Sequence, residues 1–311
     1  MTLTRRDILK LGASAAAAAV GTVGATARNA RAQASALVTL NTRPIPSSGE
    51  RLPVVGIGTN RYRTGSETEI APLRETLKTF AAAGGKLIDT APLYGSSEAV
   101  LGQLIAELGI RPQLFLATKV YTSGRDSGIE EMNDSFKRLR TDKIDLVQVH
   151  NLSDTATQLA TMRDGKRSGR YRYVGVTTSR DAQYDDMEAV LTRETLDFVQ
   201  VDYSIDNRTA AERILPLALE RGAAVLINLP FGRARLFSAV RGKRLPPWVV
   251  EFDCKSWAQF FLKYVIGHPA VTVAIPGTRR AAHVTDNLGA ARGRLPDQAT
   301  RKKMEQFFEA L

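Results

Sequence analysis

From Val54 onward, short apolar runs alternate with longer segments in which apolar residues recur at helical spacing. The runs are VVGIGT (54–59), KLIDTA (86–91), LFLATKV (114–120), IDLVQVH (144–150), YVGVTT (173–178), FVQVDYS (198–204), AVLINLP (224–230) and VTVAIPG (271–277). Their length and their content of Val, Ile, Leu and Phe predict buried strands. Segments such as EEMNDSFKRL (130–139) and AAERILPLALERG (210–222) predict amphipathic helices between them. Eight strands joined by helical crossovers must run parallel, and right-handed crossovers close such a sheet into a (β/α)8 barrel. A doubly wound open sheet is the rival, but it expects a G-x-G-x-x-G turn after its first strand. GIGTNRYRTG (56–65) brings its third glycine too late.

The connection between the last two runs is longer than the others and contains FGRARLFSAVRGKRLPPWVV (231–250). This segment carries Arg233, Arg235, Arg241, Lys243 and Arg244 with no acid, and it reads as a loop at the ligand-binding end of the barrel. The tail PDQATRKKMEQFFEAL (296–311) predicts a short helix.

The first 34 residues do not share this alternation. Arg5-Arg6 is followed by Ile8, Leu9 and Lys10, then by an Ala/Gly/Val-rich run that ends in ARAQA. This is the form of a twin-arginine export signal with cleavage after Ala32 or Ala34. It divides the chain into a signal over 1–34 and a barrel over 35–311, predicts passage through the twin-arginine translocase, and places the mature protein in the periplasm. The segment holds five basic residues against Asp7, so +4 of the formal +11 leaves with it and the mature chain stays near +7. That excess suits anionic small molecules better than nucleic acid, because no Lys/Arg run is interleaved with aromatics. A single cysteine, Cys254, leaves stability to the core. The three histidines, His150, His268 and His283, are scattered, and no metal site is expected.

Ionisable residues gather where a barrel does its chemistry. Asp89 ends the second run, Lys119 the third and His150 the fourth, with Tyr94 on the turn that follows Asp89. In a barrel those strand ends surround one mouth. A phenol can give up its proton more readily if a neighbouring ammonium favours the phenolate and lowers its pKa. An acid keeps that ammonium charged and oriented, and Gly95 permits the sharp turn after Tyr94.

The elements DTAPLYG, ATKV and DLVQVHN resemble the aldo-keto reductases, over about residues 38–295. The resemblance implies that Asp89, Tyr94, Lys119 and His150 form the catalytic tetrad, with Tyr94 as proton donor. It further implies NADP(H) as cofactor, a small carbonyl or alcohol (sugars included) as substrate, and a monomer. On the cofactor side it implies roles for Thr59, for Thr177 and Thr178 (where relatives carry Ser-Asn), and for Gln200 at the nicotinamide carboxamide. Asn228, Pro230 and Gly232 occupy the segment where relatives have Tyr-Ser-Pro-Leu-Gly, and Asn228 replaces the aromatic that stacks on the nicotinamide. Thr278 is expected to open the helix that receives the adenosine phosphate, with Arg279 and Arg280 gripping a 2′-phosphate and Asn287 near the adenine. His283 stands where many relatives have Arg. Because the stacking ring is missing, a barrel that binds cofactor for sensing, with little turnover, is the alternative function.

Overall fold

In a computed structural model, described over residues 39–311, Leu40–Leu311 forms one compact unit. The export signal expected over 1–34 lies outside the described residues. The chain opens with an antiparallel hairpin, β1 (Thr42–Pro44) and β2 (Arg51–Pro53). Then the repeating unit begins: β3 (Ile57–Gly58), α1 (Glu67–Ala82), β4 (Leu87–Asp89), α2 (Ser97–Leu108), β5 (Phe115–Val120), α3 (Arg125–Leu139), β6 (Ile144–His150), α4 (Thr155–Arg167) and β7 (Tyr171–Thr177). It continues through α5 (Tyr184–Arg193), β8 (Phe198–Asp202), α6 (Ile214–Glu220), β9 (Ala224–Asn228), α7 (Arg235–Ala239), α8 (Trp257–Ile266), β10 (Val271–Ala274), α9 (Ala281–Ala290) and α10 (Gln298–Glu309).

Strands β3 to β10 pair in chain order, every pair parallel. Parallel bridges Val55–Ala274 and Gly58–Gly277 join the two ends of the sheet, so the barrel predicted from the alternation is present. Helix starts carry the polar groups that unpaired N–H donors need. Ser256 Oγ accepts from the Gln259 N–H at 3.1 Å ahead of α8, and Asp297 accepts from the Thr300 N–H at 2.8 Å ahead of α10, the tail helix.

The period-two geometry of a strand decides what fills the barrel. Leu87, Phe115, Ala117, Leu146, Tyr173, Phe198, Ala224 and Leu226 form an apolar interior, and Ile45 and Leu52 of the hairpin close it from below. Two residues further along, the inward series turns polar: Leu87 gives way to Asp89, Ala117 to Lys119, Leu146 to Gln148 and His150, and Phe198 to Gln200. The alternate residues, such as Ile88, Val147, Val149, Val199 and Val225, join the helices in the larger outer core. One end of the barrel interior is therefore sealed with hydrocarbon and the other is lined with titratable groups.

The connection expected to be a loop over 231–250 is largely folded. Residues Gly232–Ala234 and Pro247–Phe252 make 3-10 turns around α7, because Leu236, Val240, Val249 and Phe252 are buried against the outer core. Its arginines do not all face solvent freely, since Arg235 pairs with Asp206 at 2.5 Å. Left-handed backbone concentrates on two connections at the polar end of the barrel: Asn151, Leu152 and Asp154 after β6, and Leu229, Arg233 and Ala234 after β9, all have φ between 47° and 73°.

Candidate active site

The centre of the polar end is a buried ion pair. Lys119 Nζ lies 2.8 and 2.7 Å from the two carboxylate oxygens of Asp89 and donates a third bond to the Thr90 carbonyl at 2.8 Å. Both side chains are almost wholly buried. The ammonium also faces Tyr94, with Nζ 5.2 Å from the ring centroid, so that its charge and a hydrogen-bond interaction act on the phenol. Burial alone would lower Lys119, but the carboxylate beside it reverses the sign and holds the ammonium above the ordinary lysine value. Burial pushes Asp89 up, and Lys119, Gln200 and Gln148 work against that push.

Tyr94 sits at the end of a single 3-10 turn, Pro92–Tyr94, and Gly95 follows with φ 62°, the left-handed conformation its place in the turn demands. Arg63 donates to the Tyr94 carbonyl at 2.8 Å and fixes the turn. The expected lowering of the phenol pKa is not the net result. Burial is the larger influence and raises it, while Lys119 offsets only part of that rise. Tyr94 is thus held protonated, as a proton donor must be before the reaction.

His150 closes the group. Its ring meets Tyr94 edge-on, centroids 5.9 Å apart at 87°, and meets Tyr121 at 5.8 Å. Its buried Nδ1 has no partner within the protein. Burial, then the positive charges of Lys119 and Arg180, push the imidazole down to about 3. A neutral ring can donate one hydrogen bond to a carbonyl oxygen without carrying a charge.

Around this group the residues expected on the cofactor side separate into two places. Thr59, Thr177, Thr178 and Gln200 are buried at the mouth. The Thr59 hydroxyl donates to the Asp89 carbonyl at 2.9 Å, and the Thr178 hydroxyl donates to Gln183 at 2.6 Å. Gln200 accepts from Gln148 at 2.8 Å. Asn228 donates to the Thr178 carbonyl at 3.1 Å, which ties the connections after β7 and β9 together. Pro230 and Gly232 follow on the latter, buried, with Gly232 at φ 54°.

Thr278 and Asn287 share a narrow crevice with Gly56 and Ile57, and Arg279 and Arg280 are exposed beside it. The expected role of Thr278 at the helix start needs correction. Helix α9 begins at Ala281 with Arg280 in the capping position, and the Thr278 hydroxyl accepts the Arg280 N–H at 3.2 Å, forming a turn ahead of the helix. The first place offers hydrogen-bonding groups beside the ion pair and the second offers exposed positive charge, the two kinds of group an anionic dinucleotide would need.

Gln148, the Thr90 carbonyl, Tyr121 and Arg180 also belong to the site and were not singled out from sequence. Gln148 could have been, because it stands two residues before His150 on the same strand and so shares its face. A cavity of about 950 Å³ lies at the opposite end of the barrel. Among its lining residues, Arg111 and Arg172 pair with Asp145, and Arg172 also pairs with Glu50.

Comparison with known proteins bears on this geometry. The family model described as the aldo/keto reductase family matches residues 54–246. Aldo-keto reductase YhdN of Bacillus subtilis is 33% identical over 171 residues, 49% of this chain and 50% of that protein, so that alignment spans half its length. Methylglyoxal reductase YeaE of Escherichia coli is 30% identical over 246 residues, 76% of this chain and 84% of that protein. Among solved structures, an aldo-keto reductase from Klebsiella pneumoniae in complex with NADPH superposes with a TM-score of 0.71 at 24% identity, covering 87% of this chain and 95% of that one.

The depressed imidazole gives a prediction with a definite sign. An unfolded histidine binds a proton near pH 6.5, whereas folded His150 does so only near 3. The unfolded state therefore holds more protons between those values, and the stability tied to His150 is complete above pH 6.5 and lost as pH falls toward 3. Urea midpoints measured from pH 7 to 4 should fall less steeply in His150→Gln than in the parent. Parallel slopes would contradict a buried neutral imidazole.

Proposed function

Since the chain belongs to the aldo/keto reductase family, we propose that it is an NADP-dependent oxidoreductase that interconverts an aldehyde or ketone with the corresponding alcohol, sugars included. The observation that carries this reading is the Asp89–Lys119 ion pair set 5.2 Å under the Tyr94 ring with neutral His150 edge-on beside it. When bound, the nicotinamide supplies the hydride. In the reducing direction His150 donates a hydrogen bond that orients the carbonyl oxygen, and Tyr94 transfers its proton to that oxygen as charge builds there. Lys119, kept charged by Asp89, stabilises the phenolate that remains until a proton from solvent replaces the one lost. Gln200, Thr177 and Thr178 hold the carboxamide end, with Thr59, Asn228, Pro230 and Gly232 shaping the adjoining wall. Thr278, Arg279, Arg280 and Asn287 hold the adenosine end. A barrel that only binds cofactor would not need a buried ammonium under a protonated phenol, so the sensing alternative is disfavoured.

Tyr94→Phe removes the proton and little else. The turnover number should fall by at least about a hundredfold, the scale of a lost general acid, while nucleotide binding followed by fluorescence quenching stays near the parent value. Unchanged turnover would take Tyr94 out of the mechanism.

The preference for NADP over NAD rests on Arg279 and Arg280, exposed and without a carboxylate partner among the described residues. Two charge-assisted contacts to a 2′-phosphate correspond to roughly tenfold discrimination or more. The double substitution Arg279→Ala, Arg280→Ala should bring the two dissociation constants together, and equal constants in the parent would refute the assignment.

The same proposal includes a monomeric barrel and its export to the periplasm; the export is supported by Arg5-Arg6, the apolar run and ARAQA ahead of the barrel. In cell fractions the mature protein should start after Ala32 or Ala34, and Arg5→Lys with Arg6→Lys should retain the full chain in the cytoplasm. An unaltered distribution in that variant would remove the twin-arginine signal from the account.

A further inference from the structure

Tyr94 stands on a segment with little to hold it still. It ends the single 3-10 turn Pro92–Tyr94 between β4 and α2, and inside that turn its N–H donates to the Ala91 carbonyl at 3.0 Å. Leu93 beside it is 50% exposed, so packing contributes little there, and Gly95 after it has φ 62° and no side chain to restrain the backbone. The segment is tied instead to one neighbour, the connection between β3 and α1. Ser97 Oγ donates to the Thr59 carbonyl at 2.8 Å, the Thr64 N–H donates to Ser96 Oγ at 2.9 Å, and Arg63 Nη1 donates to the Tyr94 carbonyl at 2.8 Å. Among the described residues, the Arg63 bond is the one side-chain hydrogen bond to the backbone of residues 92–95.

Arg63 reaches the turn from a fixed base. Tyr62 before it is wholly buried in the outer core, and the Tyr62 N–H donates to the Thr59 carbonyl at 2.9 Å. The same Nη1 that binds Tyr94 also donates to the Tyr62 carbonyl at 3.0 Å, so one nitrogen bridges the two connections. The guanidinium lies against Gly95, its atoms 3.8–3.9 Å from where a Cβ on that glycine would stand. No carboxylate pairs with Arg63 among the described residues, and the two carbonyls are its partners.

We infer that Arg63 is a positioning residue for the proton donor: its guanidinium clamps the Tyr94 turn to the connection after β3 and so sets the phenol beside Lys119 and His150. The assignment rests on the oxidoreductase reading above and adds to it a residue that acts through Tyr94. Tyr94 keeps two separations at once, 5.2 Å from its ring centroid to the Lys119 ammonium and 5.9 Å to the His150 ring. Proton transfer depends steeply on such placement, and a shift of about 1 Å can cost on the order of a hundredfold. A charged donor on a carbonyl is one of the stronger hydrogen bonds a backbone accepts. Arg63 is exposed, so without it water would satisfy the Tyr94 carbonyl but would not link it to Tyr62. Stability would then change little while the aim of the phenol is lost.

The test uses Arg63→Ala in the full chain, with NADPH and 4-nitrobenzaldehyde, an electron-poor carbonyl that accepts hydride readily. The turnover number should fall at least about tenfold, while the NADPH dissociation constant from fluorescence quenching and the thermal midpoint stay near the parent values. Arg63→Lys, which keeps one charged donor, should lie between the two. Amide hydrogen exchange in peptides covering residues 92–96 should be at least about fivefold faster in Arg63→Ala, with the rest of the barrel unchanged. An unaltered turnover number or unaltered exchange in that segment overturns the clamp. So does a loss of rate accompanied by a lowered midpoint and weaker NADPH binding, which would make Arg63 a support of the fold as a whole. If the parent does not reduce the aldehyde, the oxidoreductase reading fails separately, and the exchange comparison still decides the clamp.

Discussion

The ion pair between Lys119 and Asp89 sets the terms for the rest of the molecule. Taking both charges out of water costs several kcal/mol per ion, and only close geometry with every remaining donor satisfied repays it. Here Lys119 donates to both Asp89 carboxylate oxygens and to the Thr90 carbonyl. Removing one partner from such a pair typically costs about 3–5 kcal/mol, because a bare charge is left behind. The pair therefore needs walls that do not move. The apolar half of the interior, from Leu87 to Leu226, and the hairpin residues Ile45 and Leu52 beneath it supply them. What those walls sustain is a positive charge at fixed distance from a phenol.

Much of this was legible because a strand alternates faces. Once Asp89, Lys119 and His150 were read at successive strand ends, barrel closure alone brought them together, and DTAPLYG identified the turn that adds Tyr94. The direction of the Tyr94 shift was not legible. It depends on a contest between desolvation and the field of Lys119, and only the depth of burial decides which prevails. Thr278 misled for another reason: a threonine before a helix caps it or makes a turn ahead of it, and the choice depends on backbone angles at Arg280. Gln148 stands in the run IDLVQVH yet carries no charge, so the pattern of titratable groups at strand ends does not point to it. The basic stretch 231–250 suggested an open loop, because its buried Leu236, Val240, Val249 and Phe252 are spaced irregularly around the arginines.

Asn228 has a structural task that its side chain shows directly. Its amide bridges to the Thr178 carbonyl, so a residue that cannot stack instead joins the connection after β7 to the one after β9. The amide thus ties the two connections to each other at the polar end of the barrel.

The left-handed residues after β6 and β9 have a consequence for how such a protein can change. Leu152, Leu229, Arg233 and Ala234 hold backbone conformations that L-residues with a Cβ resist, and β-branched side chains resist them most. Drift at these positions is biased toward glycine, asparagine, aspartate and residues without a branch at Cβ. Inserting or deleting a residue there would dislodge several such conformations together. New selectivity is therefore accessible by exchanging side chains on a conserved loop path, and combinatorial libraries aimed at this mouth should hold those backbone positions constant while varying their neighbours.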